Sequence, residues 1–172
     1  GVQTCALPIF HLTFATPKKF LTQNFLEEDF KIEKIFLTLN RTKKLNRIYL
    51  YDFLKQNSLF DKFYYSFRFL NESNIDENFN DSKYAFNHID IIDYYKKSLI
   101  HIITETKFER EKEIKLDDNC FISEKTFRAL AFPRPFIIIG QQYILKYLKD
   151  LGFKTFSDLW DESYDECLDR KS

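Results

Sequence analysis

The sequence contains no methionine, only three glycines and one tryptophan, and its net charge is zero. Its 26 basic and 26 acidic side chains create no overall field that would favour nucleic acid or an anionic membrane surface. Any site for an anion must therefore be local. No apolar run approaches the ~18 residues that a membrane-spanning helix needs, so we predict no membrane span and expect a cytoplasmic protein.

The chain is also poor in cysteine. Cys5, Cys120 and Cys167 are not spaced as zinc ligands, and an odd number does not form a disulfide framework. They are typical of reduced thiols in a cytosolic protein. We therefore predict no metal site, no disulfide and no cofactor.

What the sequence has in abundance is aromatic and apolar residues. Its 172 residues are 44% hydrophobic, which is enough for one domain with a core of its own. Phenylalanine (20) and tyrosine (10) supply most of the aromatic content, so we expect aromatic packing to dominate that core.

The first residues differ in character from the rest. Residues 1–9, GVQTCALPI, look like the conceptual translation of a sequencing adapter, and we exclude them from the fold. On this interpretation the chain is a fragment of a longer protein. Residues 10–31 are predicted to be a linker or incoming segment, and residues 32–172 to be the folded domain.

Short apolar runs alternate with segments of helical spacing from residue 32 onward. The alternation predicts an α/β domain with a Rossmann-like, mainly parallel sheet and flanking helices. Residues 71–82 are predicted to be a surface loop and residues 107–118 a protruding loop or hairpin. The predicted strands are 35–39, 63–67, 99–103 and 136–140; the predicted helices follow Lys44, cover 89–97, span 124–132 after an N-cap at Ser123, and span 144–151 before a C-cap at Gly152.

In parallel sheets of this kind, ligands bind at the carboxyl ends of the strands. A basic group follows the first predicted strand, and its members are Arg41, Lys43, Lys44 and Arg47. Cations beside a helix start can hold a phosphate, and position favours Arg41. The alternative is a solvated, basic first helical turn.

The start of the third predicted helix is a second candidate. Ser123 is a good N-cap, and a carboxylate at Glu124 is stabilised by the helix dipole without any ligand. Lys125 follows directly. Ordinary capping and a ligand site are both open for this group on the sequence alone.

Three segments together carry a resemblance to a known family. Residues 104–106 (TET), 121–126 (FISEKT) and 135–140 (PFIIIG) resemble the pattern of the α-1,3-fucosyltransferase-like superfamily and of glycosyltransferase-like proteins of bacteria and phages. The similarity covers roughly residues 34–166. Residues 36–41 are similar to the family's phosphate-side strand and loop, and residues 151–165 to the phage-type branch.

The resemblance implies the C-terminal, donor-binding half of a two-domain (GT-B) glycosyltransferase, with a nucleoside diphosphate sugar as its partner. It assigns Glu124 to the ribose hydroxyls, and Lys125 and Arg41 to the diphosphate. Glu105 and Ser123, in the same motifs, complete the predicted substrate-binding set. Two fixed cations near a helix start would stabilise the leaving diphosphate without a metal.

The family's catalytic base lies in the acceptor-binding half, so we expect it in a missing N-terminal domain. The fragment alone is then expected to be inactive. The second hypothesis is a non-catalytic nucleotide- or glycan-associated protein of phage or bacterial origin that keeps the fold. A nucleic-acid-binding module would need a basic face that the composition does not supply.

Two other groups are interpreted as structural. His101 lies within an apolar strand and is predicted to be a hydrogen-bonded core histidine. The acidic residues near the C-terminus are predicted to be a solvated helix start and not a metal site. They are Asp161, Glu162, Asp165 and Glu166.

Overall fold

The computed structural model of the chain describes residues 31–75, 89–108, 120–132 and 134–167. Residues 1–30, with the predicted adapter and nearly all of the predicted linker, lie outside the described residues. So do most of the predicted loops at 71–82 and 107–118. The described elements are strands β1 (Lys34–Asn40), β2 (Phe63–Phe67), β3 (Glu72–Ser73), β4 (Ser98–Thr104) and β5 (Phe136–Ile139), and helices α1 (Leu45–Gln56), α2 (Ile89–Lys97), α3 (Glu124–Ala131) and α4 (Ile144–Asp150).

The five strands form one sheet in the order β3-β2-β1-β4-β5. β1 pairs in parallel with both β2 and β4, and β4 pairs in parallel with β5. The predicted α/β, Rossmann-like fold is therefore confirmed. The chain moves from β1 to one side of the sheet and then returns to place β4 on the other side. This reversal creates a topological switch point between β1 and β4, where open α/β sheets bind ligands.

Helices cover both faces of the sheet. Successive residues of a strand point to opposite faces. Phe36 packs with the aromatic cluster under α1, and Leu37 packs with Tyr95 of α2 and with Phe132 on the opposite face. α3 and α4 lie on the same face as α2, where they pack against Ile103 and Ile138. The helical residues in this packing are Ala129, Ile144, Leu145 and Leu148.

The sequence places α1 correctly but predicts the wrong buried face. The spacing of Leu45, Ile48, Tyr49 and Phe53 predicts an amphipathic helix with these residues on its apolar face. Ile48 is half-buried, but the other three are exposed, Phe53 by 55%. The buried face contains Leu50, Tyr51 and Leu54 together with two polar residues, Asn46 and Arg47. α1 is apolar on two faces, so periodicity alone could not choose between them.

The loop predicted at residues 71–82 is partly wrong as well. Glu72 and Ser73 form β3, which pairs antiparallel with the end of β2. Two polar residues carry no alternation that would indicate a strand. The pairing is supported locally by Asn74, whose side chain accepts from the Tyr65 N–H at 2.8 Å and donates to the Phe63 carbonyl at 2.8 Å.

The acidic residues after α4 are a solvated helix start only in part. Asp161 and Glu166 are exposed, and Asp161 accepts from the Ser163 N–H at 2.9 Å at the start of a short 3-10 helix (Ser163–Asp165). The other two carboxylates have structural partners instead.

Asp165 is buried, and its carboxylate accepts from the backbone N–H of Leu145 at 3.1 Å and of Lys146 at 3.0 Å. It therefore caps the start of α4, with Leu145 lying 20 residues before it in the sequence. Glu162 accepts from the Phe156 N–H at 2.9 Å and pairs with Lys149 at 2.9 Å. Both carboxylates fasten the C-terminal segment to α4.

Gly140 lies where α4 packs closely against the sheet. A Cβ at this position would lie 2.9 Å from Ile144 Cδ1 and 3.3 Å from Glu105 Cβ. Because Gly140 has no side chain, α4 can pack directly against the end of β4. The predicted C-cap is also confirmed, because Gly152 has φ of +87° and donates its N–H to the Lys149 carbonyl.

Because Asp165 caps α4 through two backbone N–H groups, its loss should lower stability. We expect Asp165→Ala to reduce the free energy of unfolding by about 1 to 3 kcal/mol, measured by urea denaturation. Asp150→Ala is the matched control, since Asp150 forms an exposed pair with Lys146 on the same helix. That control should leave the midpoint almost unchanged. Equal midpoints for the two variants would show that the cap contributes nothing.

Candidate functional site

A cleft of about 310 Å³ opens at the carboxyl ends of β1 and β4, at the switch point. Its floor is apolar and includes Leu37, Tyr95 and Ile103. Five cationic side chains and one carboxylate line its walls, and these are Arg41, Arg47, Arg68, Arg128, Lys125 and Glu124. In a chain of zero net charge, four excess positive charges are thus concentrated in one concavity. Such a cleft attracts anions.

The structure brings three of the predicted site residues together here. Arg41, Glu124 and Lys125 all line this cleft. They come from opposite sides of the switch point, since Arg41 directly follows β1 and the other two begin α3. Glu105 and Ser123 are not among the lining residues, and they lie behind Lys125.

Glu105 is a completely buried carboxylate at the end of β4, with 0% exposure. Its Oε1 accepts from the Ser123 N–H at 3.1 Å and from the Thr126 hydroxyl at 2.6 Å. Its Oε2 accepts from the Thr106 N–H at 3.2 Å and lies 3.9 Å from Lys125 Nζ. Glu105 therefore joins the end of β4 to the first turn of α3.

Ser123 caps α3 as predicted. Its Oγ accepts from the Lys125 N–H at 3.3 Å and from Lys125 Nζ at 2.9 Å. Nζ also lies 3.3 Å from Glu124 Oε1 and donates to the Thr106 hydroxyl at 3.3 Å. The Lys125 side chain is 23% exposed. The lysine is thus held at the wall of the cleft in a fixed position.

The other wall is formed by the start of α1. Arg47 is only 2% exposed, and it donates from Nε to the Thr104 hydroxyl at 3.2 Å and from Nη1 to the Thr42 carbonyl at 2.8 Å. Burial lowers the pKa of its guanidinium, while Glu105 and Glu124 oppose that shift. An arginine nonetheless stays charged at neutral pH. Arg47 places a buried cation at the cleft.

Position along the sequence favours Arg41 in this basic group. Two other cations of the cleft, Arg68 and Arg128, were not identified from the sequence. Arg68 directly follows β2, and a position after a parallel strand is itself a signal for this edge of the sheet. Arg128 lies one turn beyond Glu124 on α3, where i and i+4 share a helix face. Lys43 and Lys44 are exposed and are not among the lining residues.

His101 lies at the floor of the cleft and is buried, as predicted for a core histidine. Its ring stacks edge-on against Tyr95 at 4.4 Å and Phe132 at 5.9 Å, and its Nε2 lies 3.4 Å from the Tyr95 carbonyl. Burial lowers the pKa of His101 to about 3. Its Nδ1 has no hydrogen-bond partner among the described residues. The ring is neutral near pH 7 and adds no charge to the cleft.

Metal ligands are not grouped in this region. Among residues 31–75, 89–108, 120–132 and 134–167, no cluster of three or more His, Cys, Asp or Glu side chains could hold a metal ion.

No helix in those ranges is both long and apolar enough to cross a membrane.

Because His101 is buried in its neutral state, the free energy of unfolding should depend on pH. Its folded pKa of about 3 lies below the unfolded value of ~6.5, so the unfolded chain binds more protons between these values. The free energy of unfolding is therefore unaffected by His101 titration above pH ~6.5, and it decreases as the pH falls below that value. We expect the free energy of unfolding to fall by about 1 to 2 kcal/mol more in wild type than in His101→Phe between pH 6.5 and 5. Parallel pH profiles in urea denaturation would contradict a buried, neutral His101.

No protein-family model, no curated protein and no solved structure matches the chain.

Proposed function

We propose that the cleft binds the diphosphate of a nucleotide-sugar donor, and that the chain is the donor-binding half of a glycosyltransferase. The observation that carries this proposal is the charge of the cleft. Five cations and one carboxylate surround a switch point between parallel strands in a neutral protein. A diphosphate presents several charged oxygens that cations on facing walls can contact at the same time.

The resemblance to the α-1,3-fucosyltransferase-like superfamily supplies the proposed roles. Lys125 and Arg41 contact the diphosphate, and Glu124 accepts from ribose hydroxyls. Two features support them: both walls of the cleft contribute a cation, and Glu124 lies beside Lys125 at 36% side-chain exposure. We assign Glu105 and Ser123 to the support of Lys125, since their oxygens hold the start of α3 and the lysine ammonium.

The described lining residues offer little for activating an acceptor hydroxyl. Glu124 is paired with Lys125, and His101, with a pKa of about 3, is a poor base near pH 7. The proposal therefore places the base in an acceptor-binding domain. The same observation favours the second candidate, a nucleotide- or glycan-associated protein that binds the donor without turnover.

Removal of the Lys125 ammonium tests the donor site. We expect Lys125→Ala to weaken binding of GDP, UDP or CDP, whichever binds best, by about 1.5 to 3 kcal/mol in isothermal titration calorimetry. A nucleoside monophosphate should lose less affinity, because the ammonium is proposed to contact the diphosphate. Lys146→Ala is the matched control, as this lysine lies on the surface of α4 away from the cleft.

The outcomes separate the hypotheses. Equal affinity losses for the monophosphate and the diphosphate would show that Lys125 does not contact the second phosphate. Saturable nucleotide binding by a full-length protein that transfers no sugar from any of the three donors would favour the non-catalytic candidate. Stabilisation by a single-stranded oligonucleotide and not by nucleotides would contradict both.

A further inference from the structure

Arg47 differs from the other cations of the cleft in the degree of its burial. It belongs to the first turn of α1 and is 2% exposed, whereas Arg41 is an exposed residue. A guanidinium withdrawn this far from water loses most of its hydration. The free-energy cost of this lost hydration must be offset by hydrogen bonds and by nearby negative charge.

The hydrogen bonds of Arg47 reach only neutral oxygens. Nε donates to the Thr104 hydroxyl, and Nη1 donates to the carbonyl and the hydroxyl of Thr42. Nη2 makes no hydrogen bond to any residue that the structure describes. No carboxylate in the described ranges lies within ion-pairing distance of the guanidinium. Glu105 and Glu124 act on it only through their longer-range charge.

A chain of buried hydrogen bonds fixes the position of Arg47. The Thr104 hydroxyl accepts from Arg47 Nε and donates to Asn40 Oδ1. Asn40 Nδ2 in turn donates to the Thr38 hydroxyl at 3.0 Å. Every donor in this series of hydrogen bonds points in the same direction. The series joins α1 to β4 and β1. The guanidinium is thus oriented before any ligand arrives.

We infer that Arg47, and not Arg41, is the principal phosphate ligand of the cleft, and that a bound phosphate anion completes the ion pair that this buried cation lacks among the described residues. The inference rests on the proposed function only in taking the cleft as an anion site. It holds for any ligand that presents a phosphate or diphosphate group. A physical consequence of this ion pair is that binding of the anion also stabilises the folded chain against unfolding.

The test uses inorganic pyrophosphate with wild type, Arg47→Met, Arg47→Lys and Arg41→Met. Calorimetry gives the affinity, and thermal unfolding without ligand gives the stability of each variant. We expect Arg47→Met to lose about 10- to 100-fold in affinity and Arg41→Met to lose clearly less. Arg47→Lys should recover only part of the affinity, because an ammonium cannot reproduce the fixed fork.

Stability in the absence of ligand distinguishes a binding residue from a structural one. Methionine fills similar volume without a charge, so Arg47→Met should leave the unfolding midpoint unchanged or raise it. A large fall in the midpoint of both Arg47→Met and Arg47→Lys would show that the guanidinium is a structural group, and would overturn the inference. An affinity loss in Arg41→Met that equals or exceeds the loss in Arg47→Met would overturn it too.

This experiment separates the inference from the donor proposal. If nucleoside diphosphates bind no tighter than pyrophosphate while Arg47→Met still weakens pyrophosphate binding as expected, the nucleotide assignment fails and the role of Arg47 stands. If Lys125→Ala weakens nucleotide binding and Arg47→Met does not, the donor site stands and the role of Arg47 fails.

Discussion

The buried carboxylate of Glu105 is the interaction on which the arrangement of the cleft depends. The backbone of this residue joins β5 through its N–H to the Ile139 carbonyl, and joins α1 through its carbonyl to Asn46 Nδ2. Its side chain holds the start of α3 through Ser123 and Thr126. One residue therefore connects the end of β4 to three neighbouring elements. A charge at 0% exposure is tolerable because donors surround both oxygens.

This connection also places the two fixed cations on facing walls of the cleft. Lys125 follows the cap that Glu105 holds, and Arg47 bonds to Thr104, the residue immediately before Glu105. A phosphate between the walls would meet groups already positioned by the fold, so little ordering entropy would be spent on binding. The parallel sheet contributes the location, since the reversal of strand order leaves the crevice between β1 and β4 open.

Local patterns in the sequence were sufficient for the four parallel strands of the sheet, but not for β3. The runs at residues 35–39 and 63–67 are apolar and bounded by polar segments, and both proved to be parallel strands. α1 shows where such patterns fail, because Asn46 and Arg47 occupy its buried face and apolar residues face solvent. Polar residues on a buried face contradict the usual hydrophobic pattern, and only their partners in β4 and β5 explain them.

The candidate site was predictable in position but not in organisation. Strand ends indicate Arg41, and the cap at Ser123 indicates Glu124 and Lys125. By contrast, the partners of Glu105 lie 18 and 21 residues away, and Asp165 caps a helix that begins 21 residues before it. Sequence spacing carries no information about such contacts.

The most direct measurement is a crystal structure of the chain with a nucleoside diphosphate. We expect phosphate oxygens about 3 Å from Arg47 Nη2 and from Lys125 Nζ, between the carboxyl ends of β1 and β4. A nucleotide bound elsewhere on the molecule, with the cleft empty, would contradict this expectation.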